Sequence, residues 1–111
     1  MKLPASARIP REKITGYLLV RKQRNDKSVF LEKSGYSPES ADALIADLAR
    51  LRDGNEATEV DNNQFGCYYD VIGILRGPAG VPLRVHTIWM TEHVSGDTRF
   101  ITLIPITGHD I

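Results

Sequence analysis

Four side chains in this sequence have the types that metal-free phosphoester chemistry requires: Lys27, Arg84, His86 and Thr102. Cleaving RNA without a metal takes a base to remove the 2′-hydroxyl proton, a cation to hold charge on the phosphate oxygens, and an acid for the leaving oxygen. Arginine suits the phosphate through its planar fork. Histidine changes charge near neutrality and suits proton transfer. Lysine supplies a compact cation or a base, and a threonine hydroxyl can donate or accept. Tyr68 and Asp70 are two further polar groups able to join the set.

Spacing ties two of these residues together. Val81 to Thr91 reads V-P-L-R-V-H-T-I-W-M-T, rich in branched and aromatic residues and bounded by turn signals. A strand sends alternate side chains to opposite faces, so Arg84, His86, Ile88 and Met90 share one face. Leu83, Val85, Thr87, Trp89 and Thr91 share the other. Arg84 and His86 then stand about 7 Å apart by the strand rise. Trp89, the chain's only tryptophan, is expected on the covered face with Val85 and Leu83, leaving Arg84 and His86 on the open one.

Other chemistries lack their residues. His86, His93 and His109 fall on a strand, a turn and the tail, with no second ligand at a metal-binding offset. A single cysteine, Cys67, excludes an intramolecular disulfide and a cysteine zinc site. The glycines form no phosphate loop, and there is no serine nucleophile elbow. No metal or cofactor is expected.

The elements that must position these groups follow from period. From Arg11 a helical pattern runs toward Arg21 with Ile14, Tyr17 and Leu18 on one side, and Gly16 within it suggests close packing. A polar loop leads to a short helix from Lys27 to Ser34, stopped by Gly35. Ser37-Pro38-Glu39-Ser40 opens a third helix, with Ala41, Leu44, Ile45, Leu48 and Leu51 as its apolar stripe and Gly54 as its stop. The period then changes to two: Ala57 to Val60, Phe65 or Cys67 to Arg76, the Val81–Thr91 run, and Arg99 to Ile104. Gly77-Pro78-Ala79-Gly80 and Ser95-Gly96-Asp97 are tight turns, so the strands form an antiparallel meander. The expected fold is α+β, with N-terminal helices packed on a four-stranded antiparallel β-meander. We read a single domain over 1–111: a helical part at 1–54, the sheet at 55–106 and a tail at 107–111.

With 14 Lys and Arg against 14 Asp and Glu, the net charge is zero, which argues against nucleic-acid binding by bulk charge. The charge is uneven, however. Residues 1–33 hold nine cations against three acids, and residues 34–63 two against seven. Within the basic third, Arg21, Lys22 and Arg24 are candidate substrate contacts. No apolar run approaches the roughly 20 residues of a membrane span, and the N-terminus does not read as a signal peptide. A cytoplasmic protein with no membrane partner is expected.

The segments M-K-L-P at 1–4, I-T-G-Y-L-L at 14–19 and K-S-V-F-L-E-K-S-G-Y-S-P at 27–38 resemble a small bacterial domain family without settled activity. The likeness continues through L-R-G-P-A-G at 75–80, the Arg84–Trp89 strand and R-F-I-T-L-I-P at 99–105. Leu31 stands where that family usually carries a second phenylalanine. The layout is similar to the barnase, EndoU, colicin and RelE-like ribonucleases, many of them toxins held by an antitoxin or immunity protein. The resemblance implies a site at Lys27, Arg84, Thr87 or Trp89, and Thr102. It also implies RNA as substrate and a cognate antitoxin or immunity protein as partner. The competing expectation is a non-enzymatic protein-binding module, an antitoxin-like or adaptor domain docking through its sheet.

Overall fold

The computed structural model describes residues 1–20 and 27–106. Among these residues three helices precede a four-stranded antiparallel sheet of order β1-β2-β3-β4, an α+β fold. Helix α1 is a single α turn, Arg11–Lys13, running into a π turn, Ile14–Leu18. The wider turn is closed by Leu19 N–H donating to Ile14 O at 3.0 Å, and it buries Ile14 and Leu18 together. Gly16 is exposed, and a Cβ there would meet nothing within 4 Å, so it does not mark close packing. Helix α2 spans Ser28–Glu32 and is stopped by Gly35 at φ 86°. A 3₁₀ turn, Pro38–Ser40, with reciprocal Ser37 and Ser40 caps, leads into α3, Ala41–Gly54. Its stripe buries Ala41, Leu44, Leu48 and Leu51.

The strands are β1 (Ala57–Asn62), β2 (Gly66–Arg76), β3 (Pro82–Glu92) and β4 (Thr98–Pro105). Both faces of β2 contain apolar residues, so only packing identifies the covered one. Val71 and Leu75 are buried, whereas Ile72 and Ile74 are exposed. Helix α3 comes down on Gly73, where an added Cβ would lie 2.6 Å from Leu51 Cγ. On β3 the covered face is Leu83, Val85, Thr87 and Trp89, as alternation predicts. Trp89 anchors that face. Its indole meets the Phe100 ring edge-on at 5.3 Å and lies 5.9 Å from the Arg52 guanidinium. Its Nε1–H donates to Thr87 Oγ1 at 2.8 Å, and Thr87 donates to Val71 O at 2.7 Å.

The opening residues connect the two outer strands. Ala57 N–H donates to Met1 O at 2.6 Å, and Phe100 N–H donates to Arg8 O at 2.7 Å. Between them Leu3 and Ala7 are buried, and Arg52 Nη1 donates to Ala7 O at 2.8 Å. The β2–β3 turn is fastened to the end of α2: Gly77 N–H donates to Ser34 Oγ at 2.7 Å and Ala79 N–H to Ser34 O at 2.9 Å. No helix among the described residues is long and apolar enough to cross a membrane.

Tyr36 joins this turn region to α3 and gives stability an alkaline limit. Its hydroxyl donates to Asp47 Oδ2 at 2.6 Å, and burial pushes its pKa up to about 12, against the milder opposing influence of Arg50. A folded-state pKa above the unfolded value near 10 leaves stability intact below pH 10. Between pH 10 and 12 the unfolded chain ionises first, and stability falls by about 2–3 kcal/mol. Urea titrations from pH 8 to 12 should show this loss in the wild type and not in Tyr36→Phe. Parallel curves for the two proteins would refute it.

Candidate active site

The open face of β3 carries Arg84, His86 and Ile88, and its ladders place His86 between two polar neighbours. On one side Ile72 pairs with His86 and Asp70 with Ile88, making Asp70 the diagonal neighbour of His86. On the other, His86 pairs with Ile104 and Ile88 with Thr102, making Thr102 the second diagonal neighbour. Such positions lie about 7–8 Å apart between Cα atoms, within reach of an imidazole. His86 Nδ1 meets Asp70 Oδ2 at 2.9 Å, and Asp70 Oδ1 is buried without a hydrogen-bond partner among the described residues.

Thr102 reaches this face through an irregularity. Phe100 pairs with Trp89 and Thr102 with Ile88, so Ile101 is an extra residue in β4. Strict alternation from the buried Phe100 would send Thr102 into the core. The bulge instead keeps Phe100 and Leu103 inside and puts Thr102 on the side of Ile88.

Lys27, at the N-cap of α2, meets Thr102 at the β4 edge. Its Nζ donates to Thr102 Oγ1 at 2.8 Å and to the Tyr17 hydroxyl at 3.4 Å. It also stands 5.5 Å from the centre of the Tyr17 ring, close enough for a cation–π contact. The half-buried lysine is thus held by a strand hydroxyl and a phenol from α1. Arg84 is exposed two residues from His86 on the same face, on the side away from Thr102. Thr102, which holds Lys27, and Arg84 therefore lie on opposite sides of His86 along the strand.

Two expected substrate contacts are corrected by burial. Thr87 and Trp89 are both 0% exposed, and their hydrogen bonds close on each other and on β2. They hold the covered face together and present no surface to a ligand. Arg21, Lys22 and Arg24 lie outside the described residues. Two residues carry more of the site than sequence reading suggests. Tyr17 reads as part of an apolar stripe, yet its hydroxyl takes a bond from Lys27. Asp70 is expected only as one further polar group able to join the set, because its contact with His86 depends on the β2–β3 register. At the far end of the same face, Phe65, Tyr68, Met90, Val94 and Ile101 line an apolar hollow rimmed by the Arg99–Glu92 pair at 3.4 Å. Among the described residues, no three His, Cys, Asp or Glu side chains are grouped to hold a metal.

The arrangement combines a fixed ammonium, a hydroxyl, an imidazole on a carboxylate and an exposed guanidinium along one sheet face. Its chemistry suits an anionic, proton-exchanging substrate. A family model described as a domain of unknown function, DUF6883, matches residues 2–107. In three dimensions the chain is similar to one from a contact-dependent growth inhibition toxin–immunity protein complex of Klebsiella pneumoniae 342. The two share a TM-score of 0.68 and 17% identity, over 94% of this chain and 97% of that one. At that identity the likeness is one of fold. No curated protein matches the sequence.

Proposed function

The chain belongs to the DUF6883 family, and on that premise we propose that it is a metal-independent ribonuclease toxin. It would belong to a bacterial toxin–antitoxin or polymorphic toxin system, act in the cytoplasm and be held in check by a cognate antitoxin or immunity protein. One observation carries this reading: Lys27 and Thr102, 75 residues apart, meet at 2.8 Å beside the strand position that holds His86. The Lys27 ammonium and Thr102 hydroxyl stabilise the phosphate oxygens, and His86 exchanges protons with the 2′-hydroxyl and the leaving 5′-oxygen. The 2′-oxygen attacks phosphorus, the P–O5′ bond breaks, and the products are a 2′,3′-cyclic phosphate and a 5′-hydroxyl. Arg84 and the basic residues Arg21, Lys22 and Arg24 contact flanking phosphates. The fold shared with a chain of a toxin–immunity protein complex supports a toxin- or immunity-type role and a protein partner.

The test is purified chain mixed with total bacterial RNA in excess EDTA, with product ends mapped and induced growth followed in parallel. Cyclic-phosphate ends and growth arrest are expected. Intact RNA together with unimpaired growth would reject the reading. One feature favours a second reading, a non-enzymatic module that docks a protein on its sheet. Ile72, Ile74 and Ile104 are 46%, 50% and 47% exposed around His86. That reading requires a stable complex with a neighbouring gene product and no RNA cleavage.

A further inference from the structure

Resting on the ribonuclease reading, we infer that proton transfer runs through one atom, His86 Nε2, and that Asp70 is the positioning residue that makes it available. Asp70 Oδ2 lies 2.9 Å from His86 Nδ1. An ionised carboxylate only accepts hydrogen bonds, so the neutral imidazole must carry its proton on Nδ1. The lone pair is then left on Nε2. The two side chains differ in exposure in the sense this requires: 17% for Asp70 and 36% for His86. The carboxylate is set into the sheet while the ring remains partly open to solvent.

The second carboxylate oxygen separates this pair from an ordinary surface ion pair. Asp70 Oδ1 is buried and has no hydrogen-bond partner among the described residues. Among the described residues the carboxylate's one side-chain hydrogen bond is to the imidazole, so Asp70 is the group that orients the ring. When Nε2 takes a proton, the imidazolium forms against that charge. The remaining neighbours of His86 are cationic or neutral: Arg84 along β3, and Thr102 with the Lys27 ammonium on it from β4. Asp70 is thus the one anion in contact with His86 among the described residues. Nε2 is then the ring nitrogen open to a substrate, and Thr102, which holds the Lys27 ammonium brought in by α2, is the diagonal neighbour of His86 on β4.

The experiment uses the full chain and its near-isosteric variant Asp70→Asn. Long-range ¹⁵N–¹H spectra of the histidine rings are recorded at a pH where His86 is neutral, with His86→Ala for assignment. The wild type is expected to show His86 protonated on Nδ1, and Asp70→Asn to lose that single form. RNA cleavage by Asp70→Asn should fall about 100- to 10,000-fold in kcat with little change in KM, since the wrong tautomer spoils chemistry and not binding. Asp70→Glu, which keeps a charged, acceptor-only carboxylate, should recover part of that rate. A wild-type ring protonated on Nε2, or an Asp70→Asn kcat equal to wild type, would overturn the inference. RNA left intact by the wild type would defeat the ribonuclease reading instead, and the spectrum would still decide the nitrogen assignment. Unchanged melting of Asp70→Asn separates lost chemistry from lost fold.

Discussion

Lys27→Ala is expected to cut RNA cleavage about 100- to 1,000-fold and to abolish growth arrest, while the chain remains folded. The size follows from removing one pre-placed cation or donor from a site where charge develops, typically worth about 2.7–4 kcal/mol in the transition state. The stability cost should be far smaller. Lys27 gives up two hydrogen bonds, to Thr102 Oγ1 and the Tyr17 hydroxyl. Both acceptors are hydroxyls on half-buried residues that can rotate toward water, so a loss of about 1 kcal/mol is the natural scale. Lys27→Arg should recover the activity only in part, because a planar guanidinium does not fit a point-charge site held by one hydroxyl on each side. Initial rates on a defined RNA and thermal melts of the three proteins decide it. Equal rates for wild type and Lys27→Ala would remove Lys27 from the site and leave the protein-docking reading ahead.

Trp89→Ala should produce the opposite pattern, with stability lost before any question of activity arises. Truncating a buried tryptophan costs about 3–5 kcal/mol, against a total of about 5–15 kcal/mol for a domain of ordinary stability. Trp89 is 0% exposed, stacks edge-on against Phe100 at 5.3 Å and carries the Arg52 guanidinium over its ring. Its loss also frees Thr87 Oγ1 from its indole donor in a place water does not reach. A urea midpoint measured by circular dichroism should fall steeply for Trp89→Ala and less for Trp89→Phe, which keeps most of the ring volume. Had Trp89 stacked on a base, the same variant would raise KM at constant stability. That result would place the indole on the surface and contradict the packing described here.

Local pattern determined a great deal about this protein. The change of period after Asn55 marks the passage from helices to strands, and the turn residues between Arg76 and Val81 set consecutive strands antiparallel. Alternation along β3 assigns Leu83, Val85, Thr87 and Trp89 to one face and Arg84 and His86 to the other. The stripe of α3 is equally plain. These are statements about which side of an element a residue occupies, and the backbone's own periods carry that information.

Tertiary structure decided who meets whom. Nothing in the residues of β4 announces that Ile101 is the extra one, and without that bulge Thr102 would point into the core, away from His86. The pairing of Asp70 with His86 depends on the β2–β3 register, which a shift of one residue would destroy by exchanging every face. Lys27 comes to Thr102 because Leu31 and the π turn of α1 find their places in a shared core, a matter of packing that no local spacing encodes. Thr87 and Trp89 lie on the strand expected of a binding surface and are closed to ligands by burial in the core. The sequence by itself therefore determined the elements and the faces of β3. The candidate site, made of the Lys27–Thr102 and His86–Asp70 contacts on neighbouring strands, arises only once register, bulge and core have set which residues meet.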